Sequence, residues 1–451
     1  MIRTACTHLR STFRPHTPLF SPKTAAWRAR SHSLNPFVSL CTSSIRPSSL
    51  PLRLPRISPS QTGPFSRQNP FFTPRSYTTA SPISSSRPIV GYWLLFNAGS
   101  TFGIVVLGGL TRLTESGLSI TEWNLIKGMK PPRSEEEWEV EFEKYKQFPE
   151  YKILNHQMTL PEFKSIFYME WAHRMWGRFI GISFLLPAVY FTYKGYMTPA
   201  ITRRAWGLGA LIGFQGVLGW YMVKSGLKEE LMTTPGAVPR VSPYRLAAHL
   251  GTAFVIYAGS IMTGLKVLRD WKIAQGTFPA GVTTALQNPR LAVFRRSAIG
   301  TAFLVFATAI SGAFVAGLDA GLIYNEFPYM GGRLIPDDLW TKDFAREDAL
   351  GMLRNIFENP TTAQFDHRVL AISTFSVISS LWLYSRRLPL PPGARLAVNS
   401  LMGVALLQVS LGIGTLLLMV PTDLAAAHQA GSLTLLTTAL WLTHAMKRIP
   451  K

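Results

Sequence analysis

Acidic residues are missing from the first 88 of the 451 positions, which hold twelve Arg or Lys with abundant Ser and Pro. More than half of the formal net charge of +22 therefore sits in this segment. A basic, Ser-rich, acid-free leader has the composition of an organelle import signal and not of a nucleic-acid surface. With the Arg75-Ser76-Tyr77 step as a processing site, residues 1–77 are expected to be a mitochondrial transit peptide, disordered and removed. Cysteine is equally scarce. Cys6 and Cys41 both fall in the leader, so the rest of the chain has no thiol for a disulfide, an iron–sulfur cluster or a Cys-ligated zinc. Histidine is sparse too, with six beyond the leader. Metal chemistry must use His, carboxylate or a bound cofactor.

What the chain has in quantity is long apolar runs. Stretches of about 20 residues, enough for ~30 Å of hydrocarbon, recur near 89–111, 163–193, 204–222, 244–265, 297–318, 362–384, 396–419 and 424–445. They lack the alternation of barrel strands, and lipid admits only helices or closed barrels. An all-α polytopic membrane protein with eight transmembrane helices is expected. Segments 194–204, 266–296, 385–395 and 446–451 carry fifteen Lys or Arg against Asp270 alone, whereas 114–162 and 319–360 are net acidic. The positive-inside rule then puts both termini in the matrix.

The spans also repeat. Gly108, Glu115, Gly117, Leu118, Glu122, Gly128 and Pro132 recur as Gly312, Asp319, Gly321, Leu322, Glu326, Gly332 and Pro336, all 204 positions on. His173-Arg174 then matches His367-Arg368, Gln215 matches Gln408, and Ala247-Ala248-His249 matches Ala426-Ala427-His428. The expectation is two tandem four-helix bundles related by internal duplication, residues 78–266 and 296–451, joined by a matrix loop at 267–295.

Four of the six histidines, His173, His249, His367 and His428, are thereby paired, one on each even-numbered span and at a shared depth. A lone intramembrane His is usually a hydrogen-bonded interior residue, but ionisable groups there are functional candidates, and four at one depth are candidate ligands. Two imidazoles facing across a four-helix half suit a haem iron. Zinc wants more ligands close together. A di-iron site needs two Glu-x-x-His motifs, and only Glu170–His173 supplies one. Gly177 leaves room beside His173, for a haem or for a neighbouring helix. Arg112, Arg174, Arg178 and Arg368 are candidates for haem propionates, or for snorkelling to the interface. His156 and His444 have no repeat partner and read as solvated or interfacial.

The runs GGLTRLTESGLSITEWNLIKGMKPP (108–132), EWAHRMWGR (170–178), AAHLG (247–251), FDHR (365–368) and AAHQAG (426–431), with the stretch Trp138–Pro161, resemble the haem A synthase family of cytochrome oxidase assembly. The likeness spans residue 88 to the C-terminus. It implies an oxidoreductase of the mitochondrial inner membrane that converts a methyl substituent of haem O to the formyl group of haem A. By resemblance, His367 and His428 hold haem b, His173 and His249 bind the haem O substrate, and Glu170 is the catalytic carboxylate. A matrix ferredoxin and the upstream haem O synthase are the expected partners, beside membrane lipid; nucleic acid is not, and a homo-oligomer is left open. The cysteine pair of some bacterial relatives is absent. Rival readings from the residues alone are a di-haem b electron-transfer cytochrome and a haem carrier.

Overall fold

The computed structural model describes residues 85–124, 126, 129–233, 238–341 and 349–449. The expected transit peptide, and Gly128 of the repeat, lie outside the described residues. All regular structure among the described residues is helical, apart from one isolated bridge between Met330 and Arg333. The first half contains α1 (Pro88–Leu113), α2 (Glu135–Lys146), α3 (Pro149–Ile153), α4 (Leu160–Tyr193), α5 (Pro199–Gly226), α6 (Glu230–Thr233) and α7 (Pro243–Ala274). After α8 (Ala280–Leu286) come α9 (Ala292–Gly317), α10 (Ala349–Glu358), α11 (Pro360–Ser385), α12 (Pro392–Leu417) and α13 (Thr422–Ala445).

Helix starts follow local chemistry. Pro88, Pro199, Pro243, Pro360 and Pro392 each open a long helix, where the missing N–H is no loss and φ is already helical. The long α4 begins with a capping box between Thr159 and Glu162. Large apolar side chains such as Phe96, Ile182, Leu186, Phe303 and Leu407 stand exposed along the long helices. That surface is stable facing lipid and not water.

Among the described residues seven helices are long and apolar enough to cross a membrane: α1, α4, α5, α7, α9, α11 and α12. The eighth expected span forms the helix α13, but it falls outside that set. Its Asp423, His428, Gln429 and several Thr lower its hydropathy, while Leu433, Leu435, Leu436, Ala439 and Leu442 bury their side chains in the main core. A helix enclosed by other helices needs less lipophilic surface. The expected connecting loop at 267–295 is also different: α7 runs two turns into it, to Ala274, and α8 occupies its middle. Lys266 pairs with Asp270 one turn on, which supports helix beyond the apolar run.

Packing sorts the long helices into two groups. α1 lies against α4 and α7, and α5 against α4 and α7; α9 lies against α11 and α13, and α12 against α11 and α13. The groups meet where α1 and α7 touch α13 and α7 touches α9. One core, including Phe254 and Tyr257 of α7, Phe294 and Ala298 of α9, Leu401 of α12 and Leu433 of α13, runs through both. Gly264 lets α7 approach α1 closely, since a Cβ there would lie 3.0 Å from the Gly91 carbonyl oxygen. Just past α1 and α9, Glu115 and Asp319 both hold left-handed backbone, φ 50° and 53°, uncommon for side chains other than Gly or Asn.

Candidate functional site

Each of the four expected histidines lies against a glycine of the preceding long helix. A Cβ built on Gly108 of α1 would meet Cε1 of His173 on α4 at 2.9 Å. The same contact joins Gly219 of α5 to His249 on α7 (3.2 Å), Gly312 of α9 to His367 on α11 (3.2 Å), and Gly412 of α12 to His428 on α13 (2.7 Å). A side chain at Gly108 or Gly412 would force a shift, and one at Gly219 or Gly312 would press the imidazole by a few tenths of an ångström, so each small residue lets the ring pack against the helix. The rings come in pairs close enough to interact electrostatically, His173 with His249 and His367 with His428.

The imidazoles also leave hydrogen-bonding capacity unused. Nδ1 of His173, His249 and His428 is buried without a partner; only His367 finds one, the Ser311 hydroxyl at 2.7 Å. Gln215 donates to the His249 carbonyl at 2.8 Å, and Gln408 to that of His428 at 2.9 Å, while both Gln Oε1 atoms are buried and unpaired. Orphaned buried polar atoms are uncommon in native proteins and call for an explanation such as an unseen ligand.

Glu170 is 3% exposed and fully engaged. Its Oε1 accepts from Arg174 Nε (3.0 Å) and Nη2 (2.6 Å), and its Oε2 from the Ser119 hydroxyl (2.6 Å) and the Ile120 N–H (2.8 Å). Arg174 continues to the carbonyls of Ile120 and Glu122, and Arg178 donates to that of Asn124. The Glu-Arg pair thus fastens the segment after α1 onto α4. In the other group Gln364, also 3% exposed, donates to the Tyr324 carbonyl at 3.1 Å and leaves Oε1 unpaired. Arg368 donates to the carbonyls of Tyr324 and Tyr329. Arg112 instead pairs with Asp319 at 2.5 Å, which also holds Arg240 at 2.9 Å. All four expected propionate partners therefore have protein partners already, although Arg112 and Arg368 each retain a buried Nε with none.

Sequence reasoning missed the cover over Glu170. Trp138, Phe142 and Tyr145 of α2 pack on Phe163 and Phe167 of α4. Beneath them Tyr145 donates to Glu150 at 3.0 Å and accepts from Asn155 at 2.8 Å. Burial pushes the Glu150 carboxyl up to about 8, against the pull of the Tyr145 hydrogen bond and with a further push from the Glu170 and Glu115 charges. Burial and the Glu150 charge push the Tyr145 hydroxyl well above the usual phenol range. The only hint in the sequence was Trp138–Pro161 itself, because burial of Glu150 depends on how α2 and α3 fold back. Gly177, expected to clear space beside His173, meets only Ile104 at an ordinary 3.7 Å. The glycine that touches the His173 ring itself is Gly108.

Among the described residues no group of three or more His, Cys, Asp or Glu is disposed around a metal ion. An open cavity of about 360 Å³, lined by Ser297, Ser376, Ser380 and Tyr384, is unrelated to the histidines; Ser380 lies thirteen residues beyond His367, about 20 Å along α11. Two pairs of imidazoles between apolar helices, with glycines at their sides and unused ring nitrogens, fit a large planar ligand held by two axial nitrogens per site.

Residues 91–440 match the family model COX15-CtaA, described as cytochrome oxidase assembly protein. The chain is 53% identical over 378 residues to Heme A synthase COX15 of Bos taurus, covering 84% of this chain and 87% of that one. It is 46% identical over 387 residues to Heme A synthase COX15 of Saccharomyces cerevisiae, 84% of this chain and 80% of that one. It is 47% identical over 365 residues to the Heme A synthase-mitochondrial ferredoxin fusion protein of Schizosaccharomyces pombe, 78% of this chain and 59% of that one.

Proposed function

The chain belongs to the COX15-CtaA family of cytochrome oxidase assembly proteins, and from that premise we propose that it is a haem A synthase of the mitochondrial inner membrane. The reaction is an oxidation, taking a methyl substituent of haem O to the formyl group of haem A. The observation that carries this reading is the pair of unlike sites: two imidazole couples with the same glycine contact, one beside Glu170 and the other beside Gln364.

In this reading His173 and His249 bind haem O as substrate, and His367 and His428 hold a resident haem b. Haem b supplies one-electron redox chemistry when bound. Gly108, Gly219, Gly312 and Gly412 keep each ring turned as the ligand needs. Glu170 is the acid–base residue of the substrate site. Its four acceptor positions are filled, so it takes up a proton only after one donor leaves, and the Ser119 hydroxyl is the one that rotates freely. Gln364 cannot take up a proton or carry charge, which suits a site that passes electrons. Arg174 holds Glu170 and closes the 120–124 segment over it, excluding water.

The two-bundle duplication belongs to the same reading. It is supported by left-handed Glu115 and Asp319 at 204 positions' separation, and by Arg174 to the Ile120 carbonyl mirrored in Arg368 to that of Tyr324. We take residues 1–77 as a transit peptide, 78–266 and 296–451 as the halves, α13 as the eighth span and both termini as matrix-facing. A matrix ferredoxin is the electron donor we favour, a partner to which the S. pombe fusion protein lends weight, and a haem O synthase must supply the substrate.

Extraction and separation of the haems from purified protein tests the function. Haem B together with haem O or haem A is expected. Haem B alone, with no conversion of added haem O, would return the protein to the electron-transfer cytochromes.

A further inference from the structure

The ends of α7 and α13 opposite the glycine-backed His249 and His428 carry a second concentration of unexplained polar groups. α7 is 32 residues long, about 48 Å at 1.5 Å per residue and well beyond the ~30 Å of a hydrocarbon core. Arg269 lies twenty residues past His249, about 30 Å along the axis, which is headgroup depth if His249 lies near the other surface. Around it stand Lys266 of α7 with His444 and Lys447 at the end of α13, and Arg204 in the first turns of α5 is within reach of Lys447. Lys447 interacts electrostatically with Arg269, Lys266 and Arg204, and His444 with Arg269, Lys447 and Lys266. Among the described residues Asp270 is the carboxylate that interacts with His444 and Lys447, and Lys266 already pairs with it.

Arg269 is the anomaly in this group. Its side chain is 11% exposed, and it stands 3.9 Å from Asp270 Oδ1, too far for a hydrogen bond. Nε is buried with no partner, and no other N–H of the guanidinium has one among the described residues. The nearby helix-end carbonyls are taken: Trp271 accepts from Gln275, Lys272 from Gly276's neighbour Thr277, and Ile273 from Gly276. Helix dipoles favour cations at such ends, which accounts for Lys266 and Lys447 but not for a recessed guanidinium without an acceptor. Arg295 of α9 shows the ordinary solution, donating to the carbonyls of Met446 (2.8 Å) and Leu286 (3.0 Å).

We propose that Arg269, Lys266 and Lys447, rimmed by Arg204, bind the phosphodiester headgroup of an anionic phospholipid. A phosphodiester supplies the acceptor oxygens that match a guanidinium fork, and its sign offsets the surplus of cations. A lipid also arrives at this depth from the side, whereas an acidic protein docking from water meets the exposed Arg204 and Lys447 first and does not reach Arg269. Basic pockets between membrane helices are a recurrent way of holding such headgroups.

The experiment uses full-length haem-loaded protein, delipidated in neutral detergent and titrated with phosphatidylglycerol, with phosphatidylcholine and inorganic phosphate in parallel. Native mass spectrometry should retain one phosphatidylglycerol per chain, with a rise in melting temperature that the other two ligands do not give. Arg269→Gln should weaken retention about tenfold or more, as expected for loss of a charge-assisted hydrogen bond. Arg333→Gln, past the opposite end of α9 and paired with Asp337, should not. If Arg269→Gln fails to fold, Lys447→Gln with Arg204→Gln should lower the affinity while leaving the haem spectrum unchanged. Equal binding of phosphate, equal retention by phosphatidylcholine, or unchanged retention in these variants would overturn the proposal. So would variants that lose binding of reduced ferredoxin while keeping the lipid, an outcome assigning the cluster to an acidic protein.

Discussion

Glu170 and Gln364 occupy comparable places, three residues before a glycine-backed histidine and 3% exposed, yet their surroundings differ in kind. Around Glu170 the polar groups carry or exchange charge: Arg174, the Ser119 hydroxyl, and the buried Glu150–Tyr145 couple above. Gln364 shares the Tyr324 carbonyl with Arg368 but bonds no carboxylate, and the buried polar groups in the turns before it are neutral. Asn355 donates to Thr362 at 3.1 Å, and Asn359 donates to Asn355 at 3.2 Å. The frame that holds the imidazoles is alike in both places, while the capacity to move a proton is concentrated in one. On the proposed assignment, the fold repeats the frame around the imidazoles and varies the neighbours beside it.

The comparison breaks most visibly at the ligands. On the proposed assignment, His428→Ala or His367→Ala should abolish the low-spin spectrum of the haem b that the two would hold, because one axial nitrogen cannot hold a six-coordinate low-spin iron, whereas His173→Ala should leave it. An unchanged optical spectrum in His428→Ala would remove that residue from the ligand set.

The next largest effect concerns the two arginines. Arg174→Gln leaves Glu170 as a buried carboxylate without its counter-ion and should cost about 3–5 kcal/mol. Arg368→Gln frees two carbonyls and should cost about 1–3 kcal/mol. Thermal unfolding of the two variants in one detergent checks the order, and equal losses would remove the electrostatic distinction between the sites.

Stability against pH sharpens it further. The Glu150 carboxyl is raised from 4.5 to about 8, so the folded state binds this proton more tightly than the unfolded state. The stability it lends is fully present below about pH 4.5 and is lost as pH rises to about 8, at up to about 1.4 kcal/mol per pH unit. Wild type should therefore lose more melting temperature between pH 6 and 9 than Glu150→Gln. Parallel curves would mean that Glu150 does not titrate there. The smallest effect separates the glycines: Gly108→Val should cost about 1–3 kcal/mol by overpacking and reduce haem O binding, whereas Gly177→Ala should bind normally in the same spectral titration.

The helices were legible because a run of about twenty apolar residues has few other fates. Even so, α13, expected as a span from the run 424–445, falls outside the set apolar enough to cross a membrane, since enclosure by other helices relaxes its need for apolar residues. The extension of α7 to Ala274 was hidden because polar residues continue a helix as readily as they form a loop. His173, His249, His367 and His428 stood out by recurrence. Their glycine contacts did not, since Gly108 and His173 are brought together by the packing of α1 on α4 and not by spacing. Glu150 was invisible for a related reason, its burial being produced by the packing of α3 against the aromatic cluster of α2 and α4.

The most direct test exchanges the two side chains that differ. Haems extracted from Glu170→Gln and Gln364→Glu, expressed with a haem O supply, are separated and quantified. Glu170→Gln, nearly isosteric, should contain haem B with accumulated haem O or a hydroxylated intermediate and at least about a hundredfold less haem A, while Gln364→Glu should still contain haem A. Normal haem A in Glu170→Gln together with none in Gln364→Glu would contradict the account and move the chemistry to the other half.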